Sequence, residues 1–376
     1  MPMFEETSLV RYMIGASRIK FEVLDKLYQG IDVSKYRMGV IYVDAHSIFY
    51  RLYRDKNIAN IYVDTKEELV RDIVVGFMNV LGHYRRYLST RLHLDNDIYV
   101  AFNRELPKYQ AQYCPEFNSK LYKRYSKDDA DFRFVNEAVE IAWSFILGLS
   151  PYFEGIYCID NQGIDDFSLF AKLGFQDDIF YTIYSKSMFA TQLLRGNVVQ
   201  LYNRRDDSRL ITKGTCYKNG ILYELKTKAD PEMTPDMLPM LWAFAGCGDV
   251  SVKTTKYIGK ISTMIKIANQ MIKTKDLIAG MSMQSFMDAL PAHMPDKKLQ
   301  LKVDRSYFID RYRALSAEMG AAAITSGQMS KVAAFCYDIF NEAELEQMNE
   351  LLAAGAMDPE LLEISNLNMS EAFRYN

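Results

Sequence analysis

Short runs of apolar and β-branched residues recur along the first half of the chain, and stretches with helical periodicity separate them. Such runs are typical of strands buried in a parallel sheet. The predicted strands cover residues 38–44, 97–102, 154–159, 179–184 and 197–202. The predicted helices cover residues 5–29, 45–55, 65–90, 131–148, 164–173 and 187–195. Strands that alternate with helices predict an α/β fold, with a mostly parallel central sheet and helices on both faces.

Three further segments depart from this alternation. Residues 104–130 are polar, aromatic and basic without a clean period, so we expect a long loop or a helical arch there. Residues 208–226 contain the pair Asn219-Gly220, which is a β-hairpin signal. From residue 234 onward the pattern predicts helices. We divide the chain into an N-terminal helical extension (1–36), an α/β core (37–232), a helical element (233–280) and a C-terminal helical lobe (281–376).

Composition narrows the class of protein. Apolar residues make up 49% of the 376 residues, which is enough for a folded core, and the net charge of −3 excludes a polycation. A nucleic-acid-binding surface must therefore be a local patch. The five cysteines form no CxxC pair, so we expect neither a disulfide framework nor a zinc site, and the four scattered histidines predict no His-rich metal site. With no long apolar run and no signal peptide, we expect a cytoplasmic or virion protein without membrane contact.

Acidic residues follow two of the predicted strands. Asp44 ends the first strand, Asp160 follows the third, and Asp165 and Asp166 open the next helix. Because the carboxyl ends of parallel strands meet at one edge of a sheet, we expect these side chains to converge. Carboxylates suit Mg²⁺ or Mn²⁺, and two such ions can clamp a phosphodiester. The alternative for Asp165 and Asp166 is compensation of the helix dipole.

Four segments carry a recognisable set of motifs. They are residues 43–54 (VDAHSIFYRLYR), 163–174 (GIDDFSLFAKLG), 185–203 (SKSMFATQLLRGNVVQLYN) and 243–263 (AFAGCGDVSVKTTKYIGKIST). In order and spacing this set resembles the 5′-nuclease family of flap endonucleases, phage 5′–3′ exonucleases and the 5′-nuclease domain of bacterial DNA polymerase I. The resemblance implies a PIN-like α/β core, followed by a helix–three-turn–helix DNA-binding element at 233–280.

The resemblance also implies a metal site whose carboxylates are partly missing in this chain. The residues that keep acidic positions, as candidate catalytic remnants and metal ligands, are Asp44, Asp165, Asp166 and, less directly, Asp249. The positions where the family has acids and this chain does not are Asn103, Gly163, Ser187 and Phe189. Three or four carboxylates are too few to fix two divalent ions, so we predict weak binding of one Mg²⁺ or Mn²⁺. Possible substitutes are Asp160, Asp177 and Asp178, and His46 is expected to be a hydrogen-bonding spacer.

Two basic segments are candidates for binding nucleic acid. Residues 253–275 contain six lysines and no acid, which suits phosphate contacts. Residues 104–130 interleave cations with tyrosines, which suits single strands. The candidate nucleic-acid-binding residues, some assigned through the resemblance, are Arg51, Lys120, Lys123, Arg124, Lys253, Lys256, Gly259 and Lys260. The alternatives are an ordinary solvated helix face for the first segment and a structural tyrosine-rich loop for the second.

Helical segments outside the resemblance flank the core. They are the N-terminal helix and the C-terminal lobe, which includes the basic amphipathic residues 297–319 and the acidic, leucine-periodic residues 341–364. Helices of this kind pack locally or dock a protein partner, such as a polymerase, a clamp or a capsid component.

Three functions are consistent with the sequence. The first is a DNA-binding, catalytically degenerate relative of 5′ nucleases, acting as a subunit in replication, transcription or a virion, with a branched or junction DNA as its partner. The second is an active divalent-metal-dependent 5′–3′ exonuclease or flap endonuclease. The third is a purely structural protein on the same fold, because a fold does not by itself define a function.

Overall fold

The apolar runs of the sequence form one six-stranded sheet. The computed structural model describes residues 8–50, 52–53, 65–125, 132–150, 153, 155–204, 207–216, 229–255, 261–294 and 304–329. The strands are β1 (Met38–Asp44), β2 (Asn96–Ala101), β3 (Ile156–Ile159), β4 (Ile179–Tyr184), β5 (Val198–Arg204) and β6 (Asp207–Ile211). Their order in the sheet is β3-β2-β1-β4-β5-β6. The first five are parallel and β6 is antiparallel, which confirms the predicted mostly parallel α/β sheet.

Helices cover both faces of this sheet. Those before β3 are α1 (Ser8–Ser17), α2 (Phe21–Tyr28), α3 (Ala45–Phe49), α4 (Lys66–Arg91), α5 (Lys108–Tyr113), α6 (Ser119–Tyr125) and α7 (Arg133–Leu149). Those after β3 are α8 (Asp166–Leu173), α9 (Leu238–Ala245), α10 (Ile261–Lys273), α11 (Met283–Ala289), α12 (Arg305–Leu315) and α13 (Ala317–Ala323). The short 3₁₀ helices are Met188–Leu193, Pro235–Met237, Gly248–Val250 and Leu290–His293. Among the described residues, no helix combines the length and the apolar content needed to cross a membrane.

The alternation of side chains along β1 divides the core between the two faces. Ile41 and Val43 belong to one hydrophobic cluster, which α1, α2, α4 and α7 complete. Val40 and Tyr42 belong to a second cluster on the opposite face, which includes residues of α8 and of the 3₁₀ helix at Met188–Leu193. A third cluster lies among α9, α10, α11 and α12. The period of two in a strand thus places each run between two layers of helices.

The predicted N-terminal helix over 5–29 is wrong as one element, because two helices, α1 and α2, occupy its described part. The break follows Ser17, whose backbone carbonyl accepts hydrogen bonds from the hydroxyl of Tyr84 at 2.5 Å and that of Tyr184 at 3.0 Å. The two tyrosine hydroxyls take the place of the backbone N–H that would donate to this carbonyl if the helix continued. Both helices pack on the core, where Leu9 and Leu24 are fully buried. Docking of a protein partner at this extension stays a prediction.

One other predicted element differs from the structure, and a second cannot be compared with it in full. The predicted helix at 187–195 is a 3₁₀ helix, Met188–Leu193, whose first turn is capped by the Ser187 hydroxyl accepting from the N–H of Phe189 at 3.2 Å. The first part of the predicted hairpin over 208–226 contains β6, which pairs antiparallel with β5, and the hairpin itself stays a prediction. Asn219 and Gly220 lie outside the described residues.

The described part of the C-terminal region packs directly on the rest of the molecule. Helix α13 lies against α8, and a Cβ added to Gly320 would be 2.1 Å from the Ser168 hydroxyl oxygen. This contact leaves room for glycine only. Helix α12 is tied to α9 by Arg311, whose Nε donates to the carbonyl of Ala243 at 2.6 Å. Residues 330–376, with the acidic segment 341–364, lie outside the description, so the predicted domain boundaries stay predictions.

Candidate metal and nucleic-acid site

A cleft of about 240 Å³ opens at the carboxyl ends of β1 and β4. These neighbouring strands mark the switch point of the sheet, because β2 and β3 lie on one side of β1 while β4 and β5 lie on the other. Ligands of open α/β sheets bind at this position. The walls of the cleft come from α3, α6, the start of α8, the segment after β4 and the turn at Asp249. The predicted convergence of Asp44, Asp165 and Asp166 takes place here.

Asp44 forms the floor of the cleft at the end of β1, and only 4% of its surface is exposed. Its Oδ2 accepts hydrogen bonds from the hydroxyls of Ser47 at 2.8 Å and Ser185 at 2.7 Å. Its Oδ1 is buried and has no hydrogen-bond partner among the described residues. One carboxylate oxygen is thus fixed by two neutral donors, and the other is left to accept a donor or to ligate a cation.

Asp166 lies beside Asp44 at the first residue of α8. Its Oδ1 accepts from the backbone N–H of Asn103 at 3.1 Å and from the side-chain amide of Asn161 at 2.6 Å. Its Oδ2 lies 3.5 Å from Nε2 of His46. Burial, with the neighbouring Asp44 charge, raises the pKa of Asp166 well above its ordinary value. The carboxyl group therefore favours its neutral form unless a cation binds beside it.

His46 is the site residue that the sequence interpretation undervalued. Its Nδ1 lies 2.8 Å from the hydroxyl of Tyr125 on α6, and its buried Nε2 has no hydrogen-bond partner in the described part of the chain. Burial lowers the pKa of His46, so the ring is neutral at pH 7. Ligand atoms of Asp44, His46 and Asp166 all lie within 4.8 Å of one another. His46 therefore makes the hydrogen bond expected of a spacer and also lies close enough to Asp44 and Asp166 to share an ion with them.

Asp165 lies both at the start of a helix and in the carboxylate cluster, which were the two alternatives for this residue. It is the N-cap of α8, because its Oδ2 accepts from the N–H of Ser168 at 2.9 Å and from the Ser168 hydroxyl at 3.0 Å. It also lines the cleft. Burial, opposed by the Ser168 hydrogen bonds, raises the pKa of Asp165 from 3.8 to about 6.

The raised pKa of Asp165 predicts an unusual pH dependence of stability. Between its ordinary pKa of 3.8 and about 6, the folded state holds a proton that the unfolded state has lost. The stability that Asp165 contributes to the folded state is therefore largest below pH 3.8, and it is lost as the pH rises through about 6. Asparagine keeps the cap without a charge. Asp165→Asn should hence be more stable than the wild type by about 1.5 kcal/mol at pH 5 and by about 3 kcal/mol at pH 8.

Urea unfolding at both pH values, in a chelator to remove divalent ions, measures this difference. Asp304→Asn is the control, because the Ser306 hydroxyl lowers the pKa of the Asp304 carboxyl and moves its titration below the range tested. A stability difference for Asp165→Asn that is the same at pH 5 and pH 8 would contradict the assignment.

Two of the lost acidic positions carry structural roles. The Asn103 side-chain oxygen accepts from the N–H groups of Glu105 at 3.0 Å and Gly163 at 2.9 Å. Its side-chain nitrogen donates to the carbonyl of Glu105 at 2.7 Å and to the hydroxyl of Tyr122 at 3.0 Å. A carboxylate could accept from the Tyr122 hydroxyl, but it could not donate to the carbonyl of Glu105. Gly163 has a φ of +77°, which disfavours any larger residue.

The other two lost positions follow β4. Ser187 lines the cleft. Phe189 is fully buried, and its ring stacks on Trp242 with the centroids 5.7 Å apart. The position thus belongs to the hydrophobic core, so the expectation that Phe189 supplies no metal ligand agrees with its placement.

The remaining acids differ in their relation to the cleft. Asp249 is exposed, lines the cleft, and accepts from the N–H of Met188 at 2.5 Å. Asp160 accepts from the Gln162 amide at 2.7 Å and does not line the cleft. Asp177 and Asp178 precede β4 at the opposite edge of the sheet, so they cannot substitute for the missing ligands.

Cations lie at the mouth of the cleft. The exposed side chains of α6 include Lys120, Lys123 and Arg124, and Arg124 lines the cleft. Lys186, which sequence reasoning passed over, lines it from the segment after β4. Lys253 is exposed ahead of α10. The other predicted nucleic-acid-binding residues, Arg51, Lys256, Gly259 and Lys260, lie outside the described residues. A local basic rim therefore borders an acidic floor, although the chain as a whole is slightly acidic.

The fold is that of 5′ nucleases. The bacteriophage T5 5′-exonuclease with bound zinc ions is similar to this chain, with 12% identity and a TM-score of 0.53 over 78% of this chain and 96% of that chain. A pseudo-enzyme–product complex of the bacteriophage T5 flap endonuclease with DNA and metal ions has 12% identity and a TM-score of 0.53, covering 83% and 99%. No family model and no curated protein matches the chain. At 12% sequence identity, the similarity confirms the predicted fold. The activity of this chain has to be inferred from the residues of its cleft.

Proposed function

We propose that this protein binds DNA on a 5′-nuclease fold without efficient nuclease activity, as a subunit of a replication, transcription or virion assembly. The observation that carries the proposal is the composition of the cleft. Arg124 and Lys186 stand at its walls, and Asp44, Asp165 and Asp166 form its floor.

The basic rim supports contact with the phosphate backbone. Cations on α6 and at Lys186 attract a strand to the mouth of the cleft, and this attraction requires no particular base sequence. The buried carboxylates beneath would repel a phosphate that approaches them. A divalent ion held between Asp44 and Asp166 would remove this repulsion and bridge to a phosphate oxygen. We therefore infer that Mg²⁺ or Mn²⁺ strengthens binding beyond what the rim supplies.

The small number of carboxylates supports the loss of two-metal chemistry. Two divalent ions bring four positive charges close together, and the hydrolytic mechanism needs both ions in fixed positions. Asp44, Asp165 and Asp166 supply at most three negative charges. Burial favours the neutral form of two of them, since it raises the pKa of Asp165 and of Asp166. Ser187 and Phe189 add no carboxylate where the family has acids.

DNA binding at several salt concentrations tests the proposal, with a labelled flap duplex in a chelator. Combined alanine replacement of Lys120, Lys123 and Arg124 should weaken binding about tenfold or more at low salt. It should also make the slope of log affinity against log salt shallower by about two to three. Combined replacement of three exposed lysines away from the cleft, at positions 20, 26 and 35, removes equal charge and should change neither value by much.

Two outcomes would decide between this proposal and its alternatives. Absence of wild-type binding at low salt would leave a purely structural protein on this fold. Metal-dependent cleavage would indicate an active 5′–3′ exonuclease or flap endonuclease. The closeness of Asp44, His46 and Asp166 gives that second candidate a site for one ion, and a second ion would still be needed for two-metal hydrolysis.

A further inference from the structure

We propose that Asp44, His46 and Asp166 form a mixed nitrogen and oxygen site that binds a divalent transition-metal ion in preference to Mg²⁺. This inference rests on the proposed function, since it names the ion that the cleft holds. The three ligand atoms already lie within 4.8 Å of one another. Asp165 lines the same cleft.

Two buried atoms without partners point to a ligand between them. Asp44 is 96% buried, its Oδ2 is held by Ser47 and Ser185, and its Oδ1 has no hydrogen-bond partner among the described residues. Nε2 of His46 is likewise buried without a well-formed hydrogen bond, and Oδ2 of Asp166 lies 3.5 Å from it. Buried polar atoms are almost always satisfied, so such a pair in one cleft requires an explanation. One cation coordinated by both atoms satisfies them together.

The hydrogen bond at the far side of the His46 ring prepares Nε2 for coordination. A neutral imidazole ligates through the nitrogen that carries no proton, and the other nitrogen then donates a hydrogen bond. Here Nδ1 lies 2.8 Å from the hydroxyl oxygen of Tyr125, which can accept that bond. In the resulting tautomer, the lone pair of Nε2 faces Asp166, whose Oδ2 is 3.5 Å away. Tyr125 is therefore a positioning residue for His46.

The imidazole is what sets the preference for a transition metal. Mg²⁺ takes oxygen ligands in strict octahedral geometry and gives up water reluctantly. Imidazole suits transition metals, and affinity for a mixed site rises from Mn²⁺ to Zn²⁺. Since Asp44 and Asp166 serve all three ions, His46 supplies the difference. We expect affinities in the order Zn²⁺, Mn²⁺, Mg²⁺, with Zn²⁺ at least tenfold tighter than Mg²⁺.

Titration calorimetry with ZnCl₂, MnCl₂ and MgCl₂ on the full chain without DNA tests this order. His46→Asn should weaken Zn²⁺ and Mn²⁺ binding tenfold or more and leave Mg²⁺ binding within about twofold. Tyr125→Phe should weaken Zn²⁺ binding by about tenfold or more through loss of the acceptor for Nδ1. His93→Asn is the matched control, because His93 is exposed at the opposite edge of the sheet and its φ of 54° suits asparagine.

Pulsed electron paramagnetic resonance of bound Mn²⁺ gives a direct second readout. The wild type should show coupling to an imidazole nitrogen, and His46→Asn should not. Equal affinities for the three ions, or Mn²⁺ without nitrogen coupling in the wild type, would overturn the proposal. The wild-type spectrum decides the matter even if the His46 variant does not fold. DNA binding in a chelator is measured separately, so failure of the metal site is distinguishable from failure of DNA binding.

Discussion

Replacing Phe189 with aspartate is expected to lower the free energy of unfolding by about 4 kcal/mol or more and to restore no metal site. Phe189 is fully buried. Its ring stacks on Trp242 and meets the edges of Phe117 at 5.5 Å and Phe167 at 5.7 Å. An aspartate would remove these aromatic contacts and place an unpaired carboxylate among them. Rebuilding the family's acid at this position therefore breaks the core before it creates a ligand.

Ser187→Asp is the matched control for this substitution, because Ser187 lines the cleft two residues earlier. An aspartate there can still accept the hydrogen bond from the N–H of Phe189, so we expect a change within about 1 kcal/mol. Urea unfolding followed by tryptophan fluorescence measures both, since Trp242 stacks on Phe189. A Phe189→Asp protein as stable as the wild type would contradict the burial of Phe189 in this aromatic cluster.

Replacing Arg311 with methionine is expected to cost about 3 to 5 kcal/mol. Only 2% of Arg311 is exposed. Its guanidinium donates to the carbonyls of Ala243 at 2.6 Å and Lys253 at 2.7 Å, and it lies 3.4 Å from Glu116. Methionine fills the space but leaves both carbonyls and the Glu116 carboxylate without this donor. Because Lys253 belongs to the predicted DNA-binding element, DNA affinity should fall as well.

Arg313→Met on the same helix is the control for Arg311. The Arg313 side chain is 42% exposed and pairs with Asp310 at 3.1 Å, so we expect a loss within about 1 kcal/mol. Thermal unfolding of both variants at one pH gives the comparison. Equal destabilisation by the two substitutions would contradict the assignment of Arg311 as the buried link between α12 and α9.

The features that the sequence predicts well depend on local pattern. β4 forms at 179–184 as predicted, because a continuous apolar run identifies a strand buried on both faces. Asp44 and Asp166 meet as predicted, since the carboxyl ends of parallel strands share an edge. The motif resemblance predicts the 5′-nuclease fold although the identity to the similar structures is only 12%.

The features that the sequence does not predict depend on contacts between distant segments. His46 joins the site because Tyr125, 79 positions away, holds its ring. The break after Ser17 depends on tyrosine hydroxyls from α4 and β4. Arg311 reads as a surface cation of an amphipathic helix, and its burial follows from two backbone carbonyls in other segments. Local periodicity carries no signal for any of these three.

We propose that this 5′-nuclease fold holds DNA but lacks the carboxylates for two-metal hydrolysis. Incubation of labelled flap, nicked and single-stranded DNA with the wild type and Asp44→Asn, in Mg²⁺ and in Mn²⁺, tests this proposal. Binding is followed in parallel in a chelator. We predict salt-sensitive binding of the flap by both proteins and no cleavage that depends on Asp44. Divalent-dependent cleavage by the wild type that Asp44→Asn abolishes would contradict the claim.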